Sequence, residues 1–277
     1  NGMTIDAVDA HDGHRLTKGH VGCGVVPSLL ALTEEEGVKG SQELLTALVV
    51  GYEIGVRAGI SLHATACDYH TSGAWVALAT AAVGARALGL DHASTREALG
   101  IAEYHGPRSQ MMRCIDAPSM VKDGSGWGAM AGVSAAYLAA DGFTGAPALT
   151  VESDDVSDVW QDLGSHWTVA EQYVKLYPVC RWAQPPVEAV LGLMAEYGFT
   201  SADIAGIEIT SFHEATRLAV RHPASTEEAQ YSLPFPVAAA AVRGTLGVRE
   251  IDGEALVDQD ILALSDKTEM RESEDYN

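Results

Sequence analysis

The sequence has few basic residues, and this scarcity argues against one large class of partner. Only 17 Lys and Arg stand against 38 Asp and Glu, which gives a formal net charge of −21. Nucleic-acid affinity depends mainly on Lys and Arg side chains that neutralise phosphates. We therefore expect no nucleic-acid partner, and an anionic substrate would need a local basic pocket.

Long apolar runs and paired cysteines are also missing. No uninterrupted apolar run approaches the roughly 20 residues that cross a bilayer, so we expect no membrane partner and a cytoplasmic location. The cysteines lie far apart and form no C-x-x-C pair, which argues against a zinc knuckle and against a dense disulfide framework. The four thiols are Cys23, Cys67, Cys114 and Cys180, and we expect them to be reduced.

Aromatic residues make up only 6% of the chain, whereas hydrophobic residues make up 47%. This balance, with abundant alanine and glycine, suits closely packed helices better than a sheet sandwich. Apolar spacing and a Ser94-x-x-Glu97 capping box predict helices over residues 41–60, 72–90, 94–104 and 124–140. The sequence therefore predicts a mainly α fold with a large all-α domain over residues 1–165.

The second half of the chain has a different residue pattern from the alanine-rich first half. It follows an acidic and polar connection at residues 152–166. Its patterns predict an extended segment at 172–180, a helix at 186–197, a strand at 204–212 and a helix at 227–243. We expect a smaller α/β (α+β) domain over residues 166–277. Because two strands alone rarely form a stable sheet, we also expect further chain beyond the acidic tail.

One candidate site is the polar loop of residues 9–20, which concentrates carboxylates and imidazoles. Histidine titrates near neutral pH, and a neighbouring carboxylate can fix its tautomer, so the loop could be an acid–base site. It could equally be a solvated loop before a helix. A metal site is a third reading, although the spacing matches no template such as H-E-x-x-H.

A second candidate is Tyr69-His70-Thr71-Ser72-Gly73, which precedes a helix rich in small residues. Backbone N–H groups and the helix dipole at such a helix start favour an anion such as a carboxylate. The alternative is that Thr71 or Ser72 is only an N-cap and His70 is its partly exposed neighbour.

A third candidate is residues 108–122, where three of the 17 basic residues fall before a glycine-rich helix start. Arg108 could clamp an anionic substrate, and Lys122 could stabilise an enolate as charge develops. The absence of G-x-x-x-x-G-K-[ST] and G-x-G-x-x-G motifs argues against a nucleotide. A solvated loop with scattered cations is the alternative.

A fourth candidate is the segment 175–186. Arg181 could pair bidentately with a carboxylate, and Tyr177 or Gln184 could hydrogen-bond it. Cys180 is more typical of a small buried hydrophobe than of a nucleophile, and no serine-elbow motif supports acyl-enzyme chemistry.

These four stretches together resemble the MmgE/PrpD family, which includes 2-methylcitrate dehydratases, cis-aconitate decarboxylases and an iminodisuccinate epimerase. The matching segments are Asp9-Ala10-His11-Asp12-Gly13-His14 (similar to a D-x-D-D-T-H-like loop), Thr17-Lys18-Gly19-His20 (T-x-x-H-P), Tyr69-His70-Thr71-Ser72-Gly73 (F-H-x-T-G) and Ser119-Met120-Val121-Lys122 (S-M-x-K). Tyr177-Pro178-Val179-Cys180 and Tyr231-Ser232-Leu233-Pro234-Phe235 also resemble family segments. Val21 replaces the family's proline, and Gly13 stands where threonine is common.

The resemblance implies a homodimer that acts on a small di- or tricarboxylate and needs no metal or organic cofactor. It implies Asp9, His20, His70 and Lys122 as catalytic residues. It also implies a chain longer than this one at both ends. We expect the substrate to contact a further set of side chains, namely His14, Arg108, Tyr177, Arg181 and Gln184.

One departure concerns Gln184, which stands where family dehydratases and decarboxylases often have a histidine. Glutamine can hydrogen-bond a substrate but cannot transfer a proton at neutral pH. The leading hypothesis is a 2-methylcitrate dehydratase-like lyase that works through an enolate. Decarboxylation like that of cis-aconitate decarboxylase, epimerisation, and a non-catalytic carboxylate-binding or assembly protein are the alternatives.

Overall fold

Helices make up most of the part of the chain that the computed structural model describes, residues 1–37 and 40–276. The helices before residue 170 are α1 (Gly2–Val8), α2 (Gly22–Glu36), α3 (Ser41–Thr65), α4 (Gly73–Ala87), α5 (His92–His105), α6 (Met111–Asp116), α7 (Ser125–Ala140), α8 (Leu149–Glu152) and α9 (Ser157–Trp160). The later ones are α10 (Gln184–Tyr197), α11 (His213–Thr216), α12 (Thr226–Gln230), α13 (Pro234–Arg243) and α14 (Gln259–Asp266). The predicted mainly α fold is confirmed.

Within the described residues, four short strands accompany the helices, and they form two separate pairs. They are β1 (Asp12–Gly13), β2 (Tyr173–Val174), β3 (Ile207–Ser211) and β4 (Thr268–Glu272). β1 pairs with β2 antiparallel, whereas β3 pairs with β4 in parallel, with Ile207 opposite Thr268. The strand predicted at 204–212 therefore exists as β3. The extended segment predicted at 172–180 is a strand only at β2.

The chain divides into two compact units, which are described separately below. The first unit comprises Asn1–Ala7, His11–Met111 and Val121–Val174; the second comprises Val8–Ala10, Met112–Met120 and Lys175–Asn277. The domain division near residue 165 stays a prediction.

In the first unit, α4 is the central helix. All residues from Gly73 to Ala85 are buried, because this stretch is apolar or small on every side. Small residues also let α7 approach its backbone: a Cβ on Gly132 would lie 2.1 Å from the carbonyl oxygen of Ala77. The many Ala and Gly residues therefore allow the backbones of α4 and α7 to lie in direct contact.

α3 is long and apolar, with a mean hydropathy of 1.4 over an 18-residue window, of which 50% is buried inside the protein. By length and composition alone it could cross a membrane, but a buried core helix has the same properties. Its buried Glu53 and Arg57 form an ion pair at 3.2 Å, and Arg57 also donates to Asp162 at 2.5 Å. The location of the protein stays a prediction.

Two predicted helix boundaries were wrong. α5 begins at His92 because the carboxylate of Asp91 accepts the Ser94 N–H and acts as the N-cap, so Ser94 is not the cap. The helix predicted over 227–243 is interrupted between α12 and α13. Pro234 lacks an N–H to continue a helix from α12, and it begins α13 instead.

Candidate active site

His20 lies directly before α2 in the first unit and is held by three hydrogen bonds. Its backbone N–H donates to the hydroxyl of Ser72 at 2.9 Å, and its carbonyl accepts from the indole of Trp75 at 2.8 Å. Its ring Nδ1 lies 2.5 Å from the carbonyl oxygen of Asp12. Because a carbonyl only accepts, Nδ1 carries the proton, and Nε2 is the nitrogen that can take up another.

His70 is oriented in the same way. Its Nδ1 donates to the carbonyl oxygen of Asp68 at 2.8 Å, so its Nε2 is also the basic nitrogen. Its backbone N–H donates to Nε2 of His63 at 3.2 Å. Burial first, and then electrostatic interaction with Lys18 and His70, lowers the pKa of His63 to about 4. His63 is therefore a neutral acceptor that holds the His70 backbone.

Asp123 ties the loop that carries His70 to the loop that carries Lys122. Its carboxylate accepts from the backbone N–H of Ser72 at 3.1 Å and also from the Ser72 hydroxyl, while its carbonyl accepts the Gly73 N–H at 3.1 Å. Since the same hydroxyl accepts the His20 N–H, the loops of His20, His70 and Lys122 meet at Ser72. Ser72 does not act as a side-chain N-cap for α4.

The Asp123 carboxyl is itself perturbed. Burial, followed by the negative charge of Asp6, raises the pKa of Asp123 well above its usual range. The hydrogen bonds from Ser72 act in the opposite direction. The contacts that join these loops at Ser72, called the loop lock below, therefore depend on a buried carboxyl group. Ionising that group is unfavourable.

Lys122 is buried, with 3% of its surface exposed, and its backbone φ is +49°. Among the described residues, three that are not glycine have positive φ: Asp9 at 56°, Lys18 at 55° and Lys122. This region is unfavourable for residues with a Cβ, and strain of this kind concentrates at functional sites. All three lie in motifs that the sequence singled out.

His14 is buried in the first unit, and both of its ring nitrogens contact the protein. The backbone N–H of Thr17 donates to Nδ1 at 3.3 Å, so Nε2 carries the proton and donates to Glu171 at 3.1 Å. That hydrogen bond is the main cause of the lowered pKa of Glu171. The geometry gives His14 an anchoring role, and its contact with substrate stays a prediction.

Arg108 is exposed and lines a small, open cleft in the first unit. The other lining residues are Leu62, Ala74, Trp75, Leu78, Glu103 and Thr150. This cleft is mainly apolar, with Arg108 and Glu103 as its charged groups. The predicted role of Arg108 as a carboxylate clamp remains a prediction.

Asp9 belongs to the second unit and forms a buried ion pair there. The ammonium group of Lys175 donates to Asp9 Oδ1 at 2.6 Å and to its carbonyl oxygen at 3.2 Å. Both side chains are at most 4% exposed. The ion pair gives Asp9 a structural contact, and its catalytic role stays a prediction.

Gln184 also lies in the second unit, where its amide holds the preceding loop. Oε1 accepts the backbone N–H groups of Leu176 and Tyr177, both at 3.1 Å. Nε2 donates to the carbonyls of Tyr177 at 2.8 Å and Val179 at 3.0 Å. The amide thus makes four backbone hydrogen bonds, which gives Gln184 a loop-holding role, and its contact with substrate stays a prediction.

The other predicted ligands of this segment lie nearer the surface. The hydroxyl of Tyr177 donates to Glu188 at 2.5 Å, and burial together with this hydrogen bond raises the pKa of Tyr177 to about 12. Arg181 is exposed and begins a short 3-10 turn before α10. Their contacts with substrate also stay predictions.

The sequence motifs gave no role to His63, Asp123 or Lys175, although Lys175 opens the fourth candidate segment. His63 falls beyond the helix predicted at 41–60, although it lies in the last turn of α3. In the sequence, Asp123 stands next to a glycine-rich helix start, and that pattern gives no sign of its contact with Ser72. The partners of Asp123 and Lys175 lie 51 and 166 residues away, so no local signal could identify them.

The chain has a helical unit, in which His20 and His70 have the same tautomer, and a smaller α/β unit. Two protein-family models match these two parts of the chain. Residues 1–162 match the MmgE/PrpD N-terminal domain, and residues 177–277 match the MmgE/PrpD C-terminal domain. The chain therefore belongs to the MmgE/PrpD family. The family is one of dehydratase- or decarboxylase-type lyases.

A curated relative is the cis-aconitate decarboxylase-like protein oryM of Aspergillus oryzae. The two sequences are 24% identical over 328 residues, which covers 100% of this chain and 64% of the relative. This chain therefore spans less than two thirds of the length of that relative.

Proposed function

We propose that the chain is a lyase that acts on a small di- or tricarboxylic acid through an enolate. The observation that carries this proposal is the matched orientation of His20 and His70, each of which donates from Nδ1 to a backbone carbonyl. Both imidazoles then present Nε2 as the basic nitrogen. The loop lock at Ser72 joins their loops to that of the buried Lys122.

In the proposed reaction one histidine takes the proton from the carbon next to a substrate carboxylate. The electron pair moves into the carboxylate to form an enolate, and the ammonium of Lys122 stabilises that charge. As the enolate collapses, a carbon–carbon double bond forms and the carbon–oxygen bond breaks. The second histidine, which enters this step protonated on Nε2 as well, donates that proton to the leaving hydroxyl. The products are an unsaturated acid and water.

The leading candidate is a 2-methylcitrate dehydratase-like reaction, in which these steps end with loss of water. The second candidate is decarboxylation, which the name of the Aspergillus oryzae relative favours. There a carbon–carbon bond breaks, carbon dioxide leaves, and a histidine protonates the remaining carbanion. Epimerisation would return the proton to the opposite face of the same carbon.

Proton NMR in deuterated buffer distinguishes these reactions. The purified chain would be incubated separately with 2-methylcitrate, citrate, cis-aconitate and iminodisuccinate. From 2-methylcitrate we expect loss of water, seen as replacement of its methyl doublet by the singlet of a methyl group on a fully substituted double bond. Loss of carbon dioxide from cis-aconitate would assign a decarboxylase, and exchange at the α carbon without net loss would assign an epimerase. No change in any substrate with a folded chain would contradict lyase activity.

A second candidate function is a non-catalytic carboxylate-binding or assembly protein. The observation that favours it is Gln184, which cannot transfer a proton and whose amide is engaged with four backbone groups. This function predicts that the same carboxylates raise the melting temperature while their NMR spectra stay unchanged over long incubation. Product formation would exclude it.

A further inference from the structure

Three potential metal ligands of different kinds face one another inside the first unit. They are the carboxylate of Asp6, the imidazole of His11 and the thiol of Cys23, and all three side chains are buried. One ligand atom from each lies within 4.8 Å of the other two. α1 supplies Asp6, the loop after it supplies His11, and the first turn of α2 supplies Cys23.

The carboxylate of Asp6 is the second observation that points to a ligand. Oδ2 accepts the backbone N–H of Ser125 at 3.2 Å, whereas Oδ1 has no hydrogen-bond partner among the described residues. Oδ1 lies 3.6 Å from His11 Nε2, beyond hydrogen-bonding distance, in a side chain that is 1% exposed. A buried carboxylate oxygen without a donor is a costly arrangement that a cation would relieve.

We propose that Asp6, His11 and Cys23 bind a zinc ion. Carboxylate, imidazole and thiolate are all zinc ligands, and a tetrahedral site with bonds of about 2.0–2.3 Å has edges of about 3.3–3.8 Å. The separation of 3.6 Å between Asp6 and His11 fits such an edge. Three protein ligands leave the fourth position for a water molecule.

This site is separate from the proposed lyase reaction, which needs no metal. Its ligands join α1 to the start of α2, so the ion would stabilise the fold next to the loop that carries His20. His11 packs edge-to-face on His20, with ring centroids 4.1 Å apart. The sequence showed no zinc template because the three ligands are spaced irregularly, over 18 residues from Asp6 to Cys23.

Metal titration tests the site without any activity measurement. The purified chain, freed of metal with a chelator, would be titrated with Co²⁺ as a spectroscopic probe and then with Zn²⁺. We expect one equivalent of Co²⁺ to produce a thiolate-to-cobalt charge-transfer band, and Zn²⁺ to abolish it by displacement. Absence of this band with a folded chain would overturn the proposal.

Substitutions test whether these residues are the ligands. Cys23→Ser should remove the charge-transfer band and weaken zinc binding by more than the roughly 10–100-fold that loss of an outer partner costs. Asp6→Asn, which keeps the shape of the side chain, should weaken binding while the circular dichroism spectrum stays unchanged. Cys114→Ser is the matched control, since Cys114 is also buried and forms no disulfide among the described residues.

The Cys114→Ser control shows whether the metal binds at Cys23 or at Cys114. Unchanged binding in Cys114→Ser supports the proposal. Loss of the band in Cys114→Ser with retention in Cys23→Ser would overturn it. If Cys23→Ser does not fold, Asp6→Asn decides alone, and undiminished zinc affinity in that variant would overturn the proposal.

Discussion

A hydrogen bond from Nδ1 to a backbone carbonyl decides which nitrogen of a histidine is basic, and His20 and His70 share this device. Each ring is thereby prepared for one direction of proton transfer before substrate arrives. Lys122, held in a backbone conformation that disfavours side chains, completes the set. At the scale of single residues, the site is defined by orientation as much as by residue type.

Alanine substitution tests these residue roles. His70→Ala and Lys122→Ala should each lower kcat by at least about a hundredfold, because proton transfer and charge stabilisation act in the transition state. Steady-state turnover of the substrate identified by NMR is the measurement. His105→Ala is the control, because His105 is exposed at the end of α5. Near-normal rates in either site variant would reject that residue's role.

The neutral state of His63 is a separate prediction. Its ring protons should titrate in NMR with a midpoint near the pKa of about 4, and His63→Gln would assign the resonance. Because the folded pKa lies below the ordinary value of 6.5, the unfolded chain binds the extra proton first. His63 therefore contributes stability above pH 6.5 that is lost as pH falls toward 4. A midpoint near 6.5 would contradict the assignment.

Local motifs were sufficient to select His20, His70 and Lys122 as candidates, because each lies in a short recognisable segment. Their geometry could not be predicted in this way. The Ser72–Asp123 hydrogen bond joins residues 51 positions apart. The amide of Gln184 hydrogen-bonds the backbone of the preceding loop, and local sequence does not reveal this contact. Tertiary hydrogen bonds of this kind leave no periodic trace.

At the scale of helices and strands, prediction succeeded where apolar periodicity was strong. The helices predicted at 41–60, 72–90 and 124–140 are α3, α4 and α7. It failed where two local signals competed, as at Asp91 and Ser94, or where a proline overrode a helical pattern, as before α13. β4 was missed because five mostly polar residues at 268–272 carry little strand signal.

Two glycine substitutions should have opposite effects on stability. Gly132→Ala would place a Cβ 2.1 Å from the Ala77 carbonyl oxygen and should destabilise the protein by about 1–3 kcal/mol or more. Gly192→Ala in α10 meets no atom within 4 Å and should stabilise it by roughly 0.5–1 kcal/mol. Urea unfolding of both variants is the measurement, and effects of the same sign would contradict the α4–α7 packing.

The buried ion pair of α3 should be far more sensitive to substitution than the exposed pair between Arg86 of α4 and Glu43 of α3. Arg57→Met leaves Glu53 charged and buried and should cost about 3–5 kcal/mol in the free energy of unfolding. Arg86→Met breaks the exposed pair with Glu43 and should change it little. Equal effects of the two variants in urea unfolding would contradict the stabilising role of the buried pair.

At the scale of the whole molecule, the resemblance to the family implies a homodimer. α7 presents exposed large apolar residues at helical spacing, among them Trp127 at 63% and Met130 at 51% exposed. An apolar helix face of this kind on a strongly acidic chain is suited to contact with a second copy. We therefore expect α7 to contribute to the dimer interface.

Sedimentation velocity tests this expectation. The unmodified chain should sediment as a dimer at micromolar concentration, and the double variant Trp127→Glu, Met130→Glu should sediment as a folded monomer. Leu193→Glu, at an exposed apolar residue of α10, is the control and should remain dimeric. A dimeric double variant would place the interface elsewhere, and a monomeric unmodified chain would contradict the homodimer itself.

Main-chain atoms form the closest part of the contact between α4 and α7. A Cβ on Gly128 would lie 2.3 Å from the carbonyl oxygen of Gly73, and the Gly73 N–H donates to the carbonyl of Asp123. Main-chain atoms have no side-chain rotamers, so mutations that repack neighbouring side chains should leave the spacing at this point unchanged. During evolution, new substrate preferences on this scaffold would arise by exchanging side chains on two stationary loops, and not by moving the loops.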